Sequence, residues 1–522
     1  MSSKLIKSVS VVGSMTLVSR ITGLIRDVIF ANILGDKAAA DIFFVALRIP
    51  NFFRRISGEG AFSAAFVPVF TDYRLNNTES DTNRFLQILI GRFGLILLVV
   101  SVLGVVFAQG LVSVLAAGFA NQPEKFDLAV QATRITFPYV FFISFVAMAG
   151  GMLNTCGRFA VPAATPVLLN ICLIFAALIL VPMVSDAPIA LSFGVLVAGL
   201  IQLLFQLPFL KKEKLTIKPR IIKRAGDEVG VAGAKRVFRL TVPAIFGVSV
   251  AQLNMIVNMV LASYLVTGSI SWLYYSDRLM EFPVGVFGIA LSTVLLPDLA
   301  RKYARRATID FSKTLDWGLR WICLVCVPAT VGLIVLAKPM VSTIYYHGDF
   351  TVNGVNMTAA SLIAYAIGLT AIVMVKALAP GFYARENTKT PVRIAMIAMA
   401  INIVFCLLLI TSLKHVGLAL ATTISAVCNA VMLYVLLRRE KVLMAEPGWP
   451  VFLLKVLLGS SFMGAALWWF MGDGSAWLEI SIWSRALKLS MLLLLGGAVY
   501  FGALFLMGIK LRNLWLAKDT NQ

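Results

Sequence analysis

Charge is what this chain is short of. Only 14% of its 522 residues are Asp, Glu, Lys or Arg, whereas a soluble globular domain carries about a quarter. With 59% hydrophobic residues and a mean hydropathy of +0.89, that scarcity excludes a water-soluble chain and makes the bilayer the solvent. Histidine is nearly missing. His347 and His415 are the two in the sequence; both fall in outward-facing connections and read as exposed, and no metal, nucleophile-elbow or phosphate-loop spacing accompanies them. The sequence therefore offers no metal ligands and no catalytic set, which favours a transporter over an enzyme. Cysteine is sparse and scattered: Cys156, Cys172, Cys323, Cys326, Cys406 and Cys428 lie in or at the ends of apolar runs, as small core residues and not as a disulfide framework. Acidic residues are outnumbered 25 to 46, for a net charge of +21. In a soluble protein that would suggest nucleic acid, but in a polytopic one it first reflects lysines and arginines held on the cytoplasmic side.

Apolar runs are what the chain has instead. Segments of about 20 residues fall near 8–34, 39–70, 86–117, 129–155, 161–183, 187–209, 238–266, 269–299, 315–337, 356–383, 391–412, 415–437, 451–471 and 482–509. Basic residues fill alternate connections, among them Arg74 and Arg84, Arg158, the run from Lys211 to Arg239, Arg301 to Arg306, Arg385 to Arg393, and Arg438 to Lys441. The other connections are nearly bare of them. Both termini are expected in the cytoplasm, which requires an even number of spans and agrees with fourteen. The first apolar stretch is too long and too charged for a cleavable signal peptide.

An internal repeat organises these spans. A shift of 229 residues lays Ala61–Pro68 on Ala290–Pro297, Val112-Ser113 on Val341-Ser342, and Pro162 on Pro391. The shift carries span two onto span eight, so the two halves keep the same orientation, an arrangement known in transporters with the substrate site at the repeat interface. The expected fold is an all-α polytopic membrane protein with two parallel-repeat six-helix lobes and two added C-terminal helices. Residues 1–210 form the N-lobe, 211–237 a basic cytoplasmic linker on the anionic leaflet, 238–440 the C-lobe, and 441–522 the last two spans with the C-terminus.

Against this background the charges inside spans stand out. Arg20, Arg26 and Asp27 lie in the first span, Asp41, Arg48, Arg54 and Arg55 in the second with Glu59 after them, and Asp277, Arg278 and Glu281 in the eighth. Each costs about 2.5–3.5 kcal/mol at mid-bilayer, and such residues usually face a cavity and act there. The partner of span one in the second half offers only Gln252, Asn254 and Asn258. Asp41, Arg48 and Arg55 recur every seventh residue, a stripe with steps of about 10.5 Å. Gly23, Pro50, Pro283 and Gly285 are expected to interrupt their helices and open a cavity wall. Guanidinium groups bind phosphate oxygens bidentately, so arginines converging from both lobes suit a phosphate-bearing substrate. Pairing between these arginines and carboxylates to hold helices together is the competing reading, and Lys376 in span ten is either a further cavity cation or a snorkelling lysine.

Several blocks resemble the MurJ (MviN) lipid II flippase family of the multidrug/oligosaccharidyl-lipid/polysaccharide exporter superfamily. They are Ser19-Arg20-Ile21-Thr22-Gly23-Leu24-Ile25-Arg26-Asp27, Ala40-Asp41-Ile42-Phe43-Phe44, Pro50-Asn51-Phe52-Phe53-Arg54-Arg55, Tyr275-Ser276-Asp277-Arg278-Leu279-Met280-Glu281-Phe282-Pro283 and Ala379-Pro380-Gly381-Phe382-Tyr383. The resemblance runs over essentially the whole chain. It implies a non-enzymatic flippase that carries undecaprenyl-diphosphate-linked disaccharide-pentapeptide, lipid II, from the inner to the outer leaflet of the bacterial inner membrane. The family's functional residues fall on Arg20, Arg26, Asp41 and Arg278, its double arginine on Arg54 and Arg55, and its cavity lining on Ser19, Asp27 and Glu281. Spans 13 and 14 would hold the lipid tail. No cofactor and no nucleic acid is implied; lipid II, membrane lipids and other cell-wall synthesis proteins are the expected partners. No ATP motif is present, so the membrane potential, about 2.3 kcal/mol per charge per 100 mV, or a monovalent cation is the expected energy source. A cation-coupled drug exporter of the same superfamily and a non-transporting scaffold for cell-wall enzymes are the alternatives.

Overall fold

A computed structural model describes residues 3–57, 61–215, 218–222, 224 and 226–509. Among the described residues there are helices and turns but no strand, as hydrocarbon demands of a chain whose backbone must satisfy its own hydrogen bonds. The chain falls into two compact units, Met1–Ile270 and Ser271–Gln522.

The first unit contains α1 (Ser3–Leu34), α2 (Ala38–Ser57), α3 (Ala61–Asn76), α4 (Glu79–Val106), α5 (Ala108–Leu115), α6 (Pro123–Thr136), α7 (Tyr139–Thr155), α8 (Ala160–Phe175), α9 (Ala187–Lys212) and α10 (Glu228–Ser263). The second contains α11 (Ser269–Pro283), whose first two residues lie before the division, then α12 (Ile289–Ala304), α13 (Thr308–Val335), α14 (Ala337–Tyr345), α15 (Val352–Ile367), α16 (Leu369–Tyr383), α17 (Lys389–Arg439), α18 (Trp449–Met471) and α19 (Ile482–Leu506). Nine helical segments among the described residues are long and apolar enough to cross a membrane. Their ends carry local stop and start signals. Thr78, Thr351 and Ser481 cap α4, α15 and α19 by accepting from the backbone N–H of Asp81, Gly354 and Ser484, and Glu79 and Asp81 complement the dipole of α4.

The repeat in the sequence reappears in the elements. α4, α5 and α6 begin at Glu79, Ala108 and Pro123, and α13, α14 and α15 begin 229 residues later at Thr308, Ala337 and Val352. α17 supplies two arms of this pattern, because Lys414 leaves the helical region at φ 51° and ψ −129°. The arms fold back on each other: Ser425 Oγ donates to the Ala398 carbonyl at 2.6 Å and Asn402 Nδ2 to Thr422 Oγ1 at 3.4 Å.

Two sequence expectations about breaks need correction. α1 continues through Gly23 and α2 through Pro50 as unbroken helices. A lone glycine keeps its N–H, and the single bond lost at a proline can be absorbed within a helix braced by neighbours. The eighth span does change at the expected place: α11 ends at Pro283 and a wide π-type turn, Val284–Gly288, follows.

α10 departs from the repeat. α1 packs along α8, whereas α10 packs on α3 and α4 inside the first unit. Tyr73 donates to the Val229 carbonyl at 2.8 Å, Arg236 pairs with Asp72 at 2.7 Å, and Arg84 donates to the Gly226 carbonyl at 2.7 Å. Around them Phe62, Phe66, Phe70 and Phe93 stack in a buried row into which Ala234 and Val237 of α10 pack. Gly230 allows the approach, since a Cβ there would lie 2.9 Å from the backbone of Arg84. At the other end of α10, the Gly118 N–H donates to Ser263 Oγ at 3.0 Å. In the second unit, α18 and α19 pack on α13 around buried Trp477, and Tyr500 donates to the Leu324 carbonyl at 2.6 Å.

A methyl group at Gly118 would sit 2.1 Å from the Ser263 carbonyl oxygen, whereas one at Gly110 would meet nothing within 4 Å. Gly118→Ala is therefore expected to destabilise the protein by about 1–3 kcal/mol and Gly110→Ala to be neutral, as read by thermal unfolding of the purified protein in detergent.

Candidate functional site

The first charged cluster lies on the side of α1 that meets α8. Ser19, Thr22, Gly23 and Arg26 recur at helical spacing, so they share one face. Arg26 is 6% exposed and Asp27 3%. The Arg26 guanidinium donates through Nε at 3.0 Å and Nη2 at 2.6 Å to Asp27 Oδ1, and through Nη1 at 3.0 Å to Asn170 Oδ1 of α8. The Phe30 ring lies 5.5 Å from the same cation. Asn170 Nδ2 donates to the Ser19 carbonyl and to Thr22 Oγ1, both at 3.0 Å. A buried ion pair returns its desolvation cost only when further hydrogen bonds complete it, and Asn170 is the neutral group that does so here. Arg20 is half-buried on the same helix, about 9 Å along the axis from Arg26.

The second cluster surrounds Asp41, which is 1% exposed in the first turn of α2. Its Oδ2 accepts from Lys125 Nζ of α6 at 3.0 Å and from the Gly268 N–H at 2.8 Å. Lys125 also approaches Thr267 Oγ1 at 3.3 Å and lies 4.2 Å from the Phe119 ring centroid. Gly268 has φ +100°, a conformation that favours glycine, and it turns its N–H to the carboxylate. Asp41 is thus bound to a lysine, a partner absent from the sequence expectation. One signal was there to find: Lys125 is a basic residue in a connection where the alternating pattern leaves almost none.

Further along α2, Arg48 is half-buried, and Arg54 donates through Nε to Asn51 Oδ1 at 3.2 Å. Arg55 lies on α2 with its side chain outside the described residues, and Glu59 lies outside them altogether.

In the second unit, α11 presents Asp277, Arg278 and Glu281, all half-buried. Arg278 Nη1 pairs with Glu281 Oε2 at 2.9 Å one turn on, and its guanidinium lies 5.1 Å from the Tyr274 ring centroid. This pair is more open than the other two and less costly to separate. Lys376 on α16 packs its stem over Gly288, where a Cβ would come 2.9 Å from Lys376 Cδ.

Two other charged groups escaped the sequence reading. Buried Asp316 on α13 pairs with Arg320 at 2.8 Å and accepts from Trp449 Nε1 at 2.6 Å, clipping α18 to α13. Arg485 on α19 is buried on carbonyls, donating to those of Ile480, Ser342 and Tyr346 at 2.9–3.1 Å. The histidines are corrected as well. His415 is 3% exposed, its ring 4.9 Å from that of Trp272, because the turn at Lys414 directs it inward. His347 is half-buried, with Nε2 3.0 Å from the Thr343 carbonyl, and burial lowers its pKa. No group of three or more His, Cys, Asp or Glu able to hold a metal occurs among the described residues. Cys323 and Cys326 are buried free thiols on α13.

Comparison with known proteins gives a consistent result. Residues 30–486 match the family model described as lipid II flippase MurJ. A "Probable lipid II flippase MurJ" from Haemophilus influenzae is 43% identical over 513 residues, covering 96% of this chain and 99% of that one. A "Lipid II flippase MurJ" from Burkholderia cenocepacia is 38% identical over 508 residues, covering 97% and 98%. Among solved structures, a lipid II flippase MurJ in an inward closed conformation superposes with a TM-score of 0.78 at 28% identity, covering 95% of this chain and 99% of that one. An inward-facing multidrug resistance transporter of the MATE family reaches 0.65 at 14% identity, covering 83% and 97%, a likeness of fold alone.

Removing one member of the Asp41–Lys125 pair leaves a buried charge without its ion-pair bond across α2 and α6. Lys125→Met is expected to cost about 3–5 kcal/mol of stability, while the Asp41→Asn, Lys125→Met double variant should unfold closer to wild type. Thermal unfolding of the purified proteins reads both.

Proposed function

Because the chain belongs to the lipid II flippase MurJ family, we infer that it is a lipid II flippase, a multi-pass membrane transporter that moves the peptidoglycan precursor across the bacterial inner membrane. Full-length likeness to named flippases supports this reading most strongly. The assignment is to a transporter, not an enzyme.

The finer reading adds residues and movement. We take α2 with α3, α4 with α5, α6 with α7, α11 with α12, α13 with α14 and α15 with α16 as single spans and α17 as two, fourteen in all. Six make each lobe, and α18 and α19 follow as the pair for the polyprenyl tail, with both termini in the cytoplasm. The lobes follow the repeat, residues 1–210 and 238–440, joined by the basic linker 211–237.

The lipid II diphosphate is taken by Arg20 and Arg26 of one lobe and Arg278 of the other, with Arg54 and Arg55 nearer the cytoplasmic entrance. Ser19, Asp27 and Glu281 line the same site. Asp27 and Glu281 hold the guanidiniums of Arg26 and Arg278 when no substrate is present, and a phosphate competes for the same donors. Asp41 acts through its pair with Lys125 and Gly268, which ties α2 and α6 to the connection after α10. The lobes then rock to alternate access between leaflets, and outward movement of an anionic headgroup is favoured by an inside-negative potential at about 2.3 kcal/mol per charge per 100 mV. A monovalent cation moving inward would serve the same purpose. Other cell-wall synthesis proteins are the natural partners of such a step.

A charge-assisted hydrogen bond is worth about 1.5–3 kcal/mol, or roughly 10- to 100-fold in rate or affinity. Arg278→Ala should lower flipping of fluorescent lipid II by purified protein in liposomes by about that factor, and an imposed inside-negative potential should speed the wild type. Flipping by the alanine variant at the wild-type rate would remove Arg278 from the site.

A further inference from the structure

α8 is strongly apolar, yet it buries one amide, Asn170, 5% exposed, against α1. An amide in hydrocarbon is retained only where its polar atoms are satisfied, and both ends of Asn170 are. Chemistry fixes which end is which: a guanidinium can only donate and a main-chain carbonyl can only accept. Oδ1 therefore faces Arg26 Nη1, and Nδ2 faces the Ser19 carbonyl and Thr22 Oγ1. Gly23 lies on the same face, where a Cβ would make an ordinary contact with Asn170 Nδ2 at 3.5 Å. With Nε and Nη2 on Asp27 and Nη1 on Asn170, the plane of the Arg26 guanidinium is set from two sides.

We propose that Asn170 is a positioning residue for substrate capture: it aims the Arg26 guanidinium and, being neutral, holds it without cancelling the charge that a phosphate must meet. This rests on the reading that Arg26 contacts the lipid II diphosphate. Asp27 already places one carboxylate on Arg26. A second one would set two carboxylates against the single positive charge of Arg26 and weaken its hold on a phosphate, so position 170 suits an acceptor without charge. The side chain also reports the state of α1, because its two donor bonds hold only while Ser19 and Thr22 stay on the face toward α8.

The test measures flipping of fluorescent lipid II in liposomes against lipid II content, separating half-saturation from maximal rate. Asn170→Asp keeps shape and the acceptor to Arg26, replaces the Nδ2 donor to the Ser19 carbonyl by an oxygen and adds a charge; half-saturation should rise about tenfold, the equivalent of about 1.4 kcal/mol, with a smaller change in maximal rate. The Asp27→Asn, Asn170→Asp double variant exchanges the two groups around Arg26 and should return half-saturation to within about threefold of wild type. A role in packing alone predicts no such recovery. Asn170→Leu, which removes the acceptor at constant charge, should raise half-saturation about fivefold, and serves where the aspartate variant does not fold. An exchange variant no better than Asn170→Asp, or a leucine variant with unchanged half-saturation, overturns the proposal. Arg26→Ala flipping at the wild-type rate overturns instead the reading that Arg26 meets the diphosphate.

Discussion

Inside hydrocarbon a charge must bring its partner with it, and most of the polar architecture of this chain follows from that demand. Arg26 is closed by Asp27 and Asn170, Asp41 by Lys125 and the Gly268 N–H, Asp316 by Arg320 and Trp449, and Arg485 by main-chain carbonyls. Each solution joins helices distant in sequence. Apolar side chains gain little from leaving lipid for other apolar side chains, so these polar contacts, with close glycine approaches and aromatic stacking, decide which helices are neighbours.

The repeat separates scaffold from task. Helix starts recur at a constant offset from α4–α6 to α13–α15. The charges do not recur. α1 carries Arg20, Arg26 and Asp27, whereas α10 carries amides in the matching stretch, and the two helices also dock differently. α10 is fixed near its start by Asp72, Tyr73 and Arg84 and near its end by Gly118.

Much of this could be read from the sequence, and the limit has a physical origin. Apolar length, the 229-residue offset and the out-of-place charges are local or periodic signals, and nine helical segments among the described residues are long and apolar enough to answer the first of them. Partners are another matter. Asn170 is an ordinary amide in an apolar run, and nothing near it in sequence announces a guanidinium 144 residues away. Lys125 leaves a faint trace as a cation in an otherwise bare connection. Arg485 leaves none, because its acceptors are main-chain carbonyls that every residue possesses. The misplaced expectations have two causes: Gly23 and Pro50 reflect residue type, which the helices override, and His415 its place in a connection, from which the turn at Lys414 directs it inward.

These paired charges also set the terms on which an anion can enter. A bare arginine in a membrane cavity would be costly to keep and would hold any phosphate too tightly to release. An arginine already paired with a carboxylate is cheaper to maintain, and its phosphate affinity is the difference between two ion pairs. Arg26 and Arg278 differ in this respect. The Arg26 pair is buried and braced by Asn170, whereas the Arg278–Glu281 pair is half-exposed and spans one helical turn. On the proposed reading, Arg278 exchanges its carboxylate for phosphate readily and Arg26 does so at greater cost.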